Sequence, residues 1–159
     1  MNYLASLKES FATVLPDVIL EETSEDTALM YSTKAPFLDE GNVVYRITTQ
    51  NIGDSYVRFQ VMMFLYNGID KEKIEAISVL ANHINNYLSL GSLSVWKDTA
   101  SVFYNHGFVI HTSMSFETVQ TLLAESITIM ETYAFKAGKK LYEFLSDEKG
   151  LEEIIGTGL

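Results

Sequence analysis

Apolar residues recur in steps of three and four at Tyr3, Leu4, Leu7, Phe11, Val14 and Leu15, which predicts an amphipathic helix over residues 3 to 14. Pro16 ends it, because its ring clashes with the preceding turn and it has no N–H to donate. From Val18 the period drops to two and β-branched and aromatic residues accumulate, predicting strands over 18 to 21, 28 to 32, 43 to 49 and 56 to 66. Turn signals at Ser24-Glu25-Asp26, Asp39-Glu40-Gly41-Asn42 and Asn51-Ile52-Gly53-Asp54 separate them, as in an antiparallel meander. After Asn67-Gly68, Asp70 is placed to cap a second helix in which Ile74, Ile77, Leu80, Ala81, Ile84, Tyr87 and Leu88 share one side, with its end near Leu90-Gly91. Leu93 to Trp96 and Ser101 to His111 then form a hairpin, and Ser115 caps a helix of nearly 30 residues. That helix carries apolar residues in steps of three and four from Phe116 through Met130 to Phe144.

Helices that come in blocks, not after every strand, predict an α+β domain: an antiparallel sheet packed by helices, in the order helix, strands, helix, hairpin, long helix. Residues 1 to 146 form that single domain, and the acidic, glycine-containing stretch 147 to 159 is a tail or a short helix.

The alternation itself marks a surface. In the strand from Tyr56 to Tyr66, one face is apolar throughout at Val57, Phe59, Val61, Met63 and Leu65. The opposite face begins polar at Arg58 and Gln60 and ends apolar at Met62, Phe64 and Tyr66. A two-residue hairpin loop at Asp98-Thr99 pairs Lys97 with Ala100, placing Leu93, Val95, Val102 and Tyr104 on one side. Trp96, Phe103, Val109 and His111 then go to the other. An antiparallel sheet with one solvated face does not normally show such rings there, so either helix one covers them or another chain does. Met62, Phe64, Trp96 and Phe103 are the candidate partner or dimer interface.

Composition narrows the chemistry. The 159 residues carry a net charge of -10, a field that repels nucleic acid and anionic membrane surfaces. The absence of cysteine removes disulfides, thiolate catalysis and Cys-ligated metal centres. His83 falls on the polar side of helix two, and His106 and His111 on opposite faces of one strand, so no metal site is expected. The glycines are scattered singly, without a phosphate-cradling loop, and no nucleophile elbow is visible. The acidic run Glu21-Glu22-Thr23-Ser24-Glu25-Asp26 lacks the alternating oxygen ligands of a calcium loop and reads as a solvated turn. No catalytic residues and no cofactor are assigned. There is no secretory leader pattern, and the most apolar run, Val61 to Tyr66, is far short of the roughly 20 residues a spanning helix needs, so a cytoplasmic protein is expected.

Three stretches between Val57 and Val95 carry a resemblance: Val57-Arg58-Phe59-Gln60-Val61, then residues 77 to 88 (ISVLANHINNYL), then Leu90-Gly91-Ser92-Leu93-Ser94-Val95. With the Ser-containing turn Thr112-Ser113-Met114-Ser115-Phe116-Glu117 ahead of the last helix, the chain from Val57 to Phe144 resembles the YbjN family of bacterial sensory transduction regulators, whose fold is similar to that of type III secretion chaperones. Ala81 departs from the pattern, which has a bulkier apolar residue there, and the first 50 residues carry no matching motif. The resemblance implies a dimeric regulatory or protein-binding module without a catalytic site. The expected function is a homodimeric, chaperone-like or adaptor-like protein that holds a segment of a protein partner. The alternative is a regulator that binds a small ligand between the long helix and the sheet, with Tyr104, His106 and Tyr133 as polar handles.

Overall fold

The computed structural model describes residues 2 to 13, 18 to 22, 27 to 35 and 41 to 157. The turns read at Ser24-Glu25-Asp26 and Asp39-Glu40, and the Pro16 stop, lie outside them. The chain is α+β, as expected: α1 (Tyr3–Phe11), β1 (Ile19–Glu22), β2 (Thr27–Lys34), β3 (Asn42–Ile52), β4 (Tyr56–Tyr66), α2 (Ile74–Asn85), β5 (Ser92–Trp96), β6 (Ser101–His111), α3 (Phe116–Leu145) and α4 (Leu151–Gly156). A short 3-10 turn, Lys71–Lys73, leads into α2, with the Asp70 carboxylate accepting from the Glu72 N–H. The six strands form one antiparallel sheet in the order β1-β2-β3-β4-β6-β5.

The helices pack on one face. Tyr3 of α1 meets Phe59 edge-on at 5.7 Å, and Phe11 meets Tyr31 at 5.8 Å. Tyr31 stacks on Tyr45, whose hydroxyl donates to Glu131 of α3 at 2.7 Å. Ile77, Leu80 and Ile84 of α2 and Val119, Leu123 and Met130 of α3 close the same core without measurable exposure. Helix one therefore does not take the second face, which was one of the two ways of covering the rings there. It shares the first face with α2 and α3, its stripe of Leu4 and Leu7 packing against β1, β2 and β3. Ile154 of α4 is also buried, so residues 151 to 156 are a docked helix and not a loose tail.

The junction from α2 into β5 is tightly held. The helix stops at Asn85, short of the expected Leu90, and leaves Tyr87 exposed. The Asn85 amide then spans the gap: its Nδ2 donates to the Leu93 carbonyl at 3.0 Å and its Oδ1 accepts from the Leu93 N–H at 2.7 Å. Replacing Asn85 by Asp keeps the acceptor but sets a carboxylate oxygen against a carbonyl, so Asn85→Asp is expected to lose about 2 kcal/mol of stability. A urea midpoint unchanged from that of the parent would refute this clamp.

Candidate partner interface

The face of the sheet turned away from the helices is built in rows fixed by register. One row runs Ser32, Val44, Phe64, Phe103, Ser94 across β2, β3, β4, β6 and β5. The next runs Met30, Arg46, Met62, Asn105, Ser92. Further along come Thr48 beside Gln60 and Gly107, then Gln50 beside Arg58 and Val109, and finally Ile52 beside Tyr56 and His111. Lys97 and Ala100 close the β5–β6 turn as the two-residue loop requires, and this register sends Trp96, Phe103, Val109 and His111 to the outer face.

All four candidate residues lie on this face and adjoin one another. Phe103 is the centre, with its ring 4.6 Å from Trp96 and 5.6 Å from Phe64, while Phe64 and Trp96 are 5.8 Å apart. Phe103 and Met62 are only 4% and 5% exposed, Phe64 is half-buried and Trp96 is 41% exposed. The inner pair is thus shielded by its neighbours on the sheet, and the outer rim is open. Among the described residues no helix lies over it. Tyr66 leaves the set. A register shift between Phe64 and Tyr66 turns its ring to the helix side, where its hydroxyl donates to the Gly138 carbonyl at 3.0 Å.

Polar groups complete the surface. Gln60 donates to Asn105 at 3.1 Å, bridging β4 and β6. Arg46 and Arg58, the two arginines of the chain, both point outward from this face. Neither takes part in an ion pair among the described residues, and the Arg46 Nε is buried with no hydrogen-bond partner. Alternation along β4 places Arg58 on this side, whereas a lone arginine in Val-Val-Tyr-Arg-Ile-Thr has in sequence the look of an ordinary solvated position.

The handles named for a small ligand sit on the helix side. Tyr104 and Tyr133 stack at 6.5 Å between β6 and α3, but Tyr104 is wholly buried and its hydroxyl donates to the Leu90 carbonyl. His106 lies near Phe108, and burial lowers its pKa. An open depression of about 480 Å³ lies elsewhere, along the solvent side of α3 at Thr121, Ala124, Glu125, Thr128 and Ile129. Among the described residues no three carboxylate or imidazole groups gather as metal ligands, and no helix is long and apolar enough to cross a membrane. His83 leaves its Nε2 buried without a partner beside Tyr87.

No protein-family model matches the chain, and a search of curated proteins finds no match.

Proposed function

We propose that the chain is a non-enzymatic protein-binding module, chaperone-like or adaptor-like, that holds a segment of a partner protein against the outer face of its sheet. The observation that carries this reading is the Phe64, Trp96 and Phe103 cluster on a face over which no described helix lies. Aromatic anchors set among shielding neighbours are the common make-up of a protein interface. The resemblance to the YbjN family supports the same class. Two copies per particle belong to the proposal. Their support is on α3, whose solvent side leaves Ile129, Phe135 and Tyr142 between 40% and 50% exposed. A cytoplasmic setting completes the proposal and agrees with the lack of cysteine.

The test compares the parent chain with Trp96→Ala. At 41% exposure Trp96 contributes little to the core, so the variant is expected to fold within about 1 kcal/mol of the parent. Phe103→Ala would open a cavity costing about 3 kcal/mol, so Phe103→Leu is the better partner variant. Expected are a parent particle of dimer mass, a stoichiometric polypeptide on it, and a Trp96 fluorescence shielded from acrylamide in the loaded form. In Trp96→Ala combined with Phe103→Leu the polypeptide should be lost and the circular dichroism kept. Retention of the same polypeptide by the double variant, or equal quenching of Trp96 in the loaded and free parent, overturns the reading. A monomer mass overturns its dimeric part.

A further inference from the structure

The outer face is cationic in a chain that is strongly anionic. Its described strand positions include Lys34, Arg46 and Arg58, against the single carboxylate of Glu21 on the edge strand β1. The net charge of the whole chain is -10. Both arginines are concentrated on the sheet face that the described helices leave bare. Arg46 is held between the columns of Met30 on β2 and Met62 on β4, with its Nε withdrawn from solvent and unpaired. A carboxylate from outside would pair with the guanidinium of this half-buried side chain, and would recover the desolvation cost of the unpaired Nε–H when the side chain turns to present it. Arg58 lies one strand over and four residues further along, since Arg46 pairs with Met62 and Arg58 pairs with Gln50. At about 3.4 Å per residue their backbone positions are about 14 Å apart along the strands, and the Arg58 guanidinium leans over Gly107 of β6, in the row of Gln60 and so toward Arg46.

From this placement we infer that the occupant of the outer face is an acidic, apolar segment of another protein, with apolar side chains on the Phe64, Trp96 and Phe103 cluster and a carboxylate bidentate on Arg46. A second carboxylate further along the same segment meets Arg58, whose guanidinium lies over Gly107 of the neighbouring strand. The inference rests on the reading of this face as a protein-binding surface. A second copy of the chain is a poor occupant here. In a two-fold interface the same patch meets itself, which would set each copy's arginines and Lys34 against those of the other. Long-range repulsion from the chain's other acids works against acidic segments, so selection for them has to come from the face itself.

A random-peptide display library selected at moderate salt on the parent chain, and in parallel on Arg46→Gln, tests this. Peptides enriched on the parent should combine Leu, Phe or Met with Asp or Glu, and the acidic enrichment should vanish on Arg46→Gln. Individual winners should bind Arg46→Gln roughly ten- to a hundred-fold more weakly, the worth of a charge-assisted hydrogen bond, and Arg46→Lys in between. Winners rich in apolar residues without acids, bound equally by both proteins and lost on Trp96→Ala, would overturn the carboxylate inference and leave the protein-binding reading standing. Winners indifferent to Trp96→Ala, or no winners at all, would overturn both. A parent chain whose Trp96 is already shielded in a peptide-free dimer overturns the inference in favour of a second copy.

Discussion

Gly91→Ala is expected to remove about 3 kcal/mol or more of stability, and Gly68→Ala only about 1 kcal/mol, although both glycines have the same left-handed backbone at φ +70°. The shared part is the cost of putting a Cβ on a left-handed residue. The difference is space. Nothing lies within 4 Å of a Cβ built on Gly68, whereas one on Gly91 would sit 2.6 Å from Tyr104 Cε1 and 2.7 Å from the Asn105 carbonyl oxygen. Neither neighbour can retreat cheaply. The Tyr104 ring is wholly buried and tied through its hydroxyl to the Leu90 carbonyl, and the Asn105 carbonyl belongs to the backbone of β6. Because Asn85 clamps Leu93 on the other side of the same crossing, strain at Gly91 cannot be relieved by sliding β5. Chemical denaturation of the two variants beside the parent measures the contrast. Equal losses would show that the close approach of Gly91 to Tyr104 has no energetic weight.

The same junction shows what the sequence makes legible. Gly91 as a turn, Ser115 as a cap and the β5–β6 register all follow from local chemistry: a residue free to take positive φ, a hydroxyl placed three residues before Thr118, and a two-residue loop that fixes pairing parity. The faces of Trp96 and Phe103 follow from that parity, and the face of Phe64 from the alternation along β4. What local chemistry does not contain is which side of the sheet a helix chooses. The stripe Leu4, Leu7 and Phe11 demands burial but does not name the face, which is settled by the tertiary packing of Tyr3 on Phe59 and Phe11 on Tyr31. Tyr66 illustrates a second limit. Strict alternation sends it outward with Phe64, but one irregularity in the β4–β6 pairing reverses it, and no residue type around Leu65 announces that shift. The unpaired Nε of Arg46 is a property of three adjacent strands at once, so no single stretch of sequence displays it.

Alkaline unfolding is the second large effect expected, and it comes from phenols buried on the helix side. Burial pushes the Tyr104 hydroxyl up to about 12, with Tyr133 adding to the rise. Tyr31 and Tyr45 are held well above the ordinary tyrosine range, first by burial and then by the carboxylate of Glu131, to which Tyr45 also donates. In each case the folded pKa lies above the unfolded value near 10, so the folded protein keeps protons that the unfolded chain loses. Their contribution to stability is complete below about pH 10 and declines as pH rises toward the folded values. Each such phenol removes about 1.4 kcal/mol per pH unit, so the three together remove about 4 kcal/mol per unit against a typical domain stability of about 5 to 15 kcal/mol. Between about pH 10 and 12 the chain should therefore unfold in one cooperative step, with part of the tyrosinate absorbance appearing together with the loss of circular dichroism. Tyr31→Phe deletes one phenol from the Tyr31–Tyr45 stack and should flatten the pH dependence by one proton, moving the transition to higher pH. Tyrosinate absorbance that reaches its full amplitude while the circular dichroism stays native would show that these rings are open to water, and with them the core between α3 and the sheet.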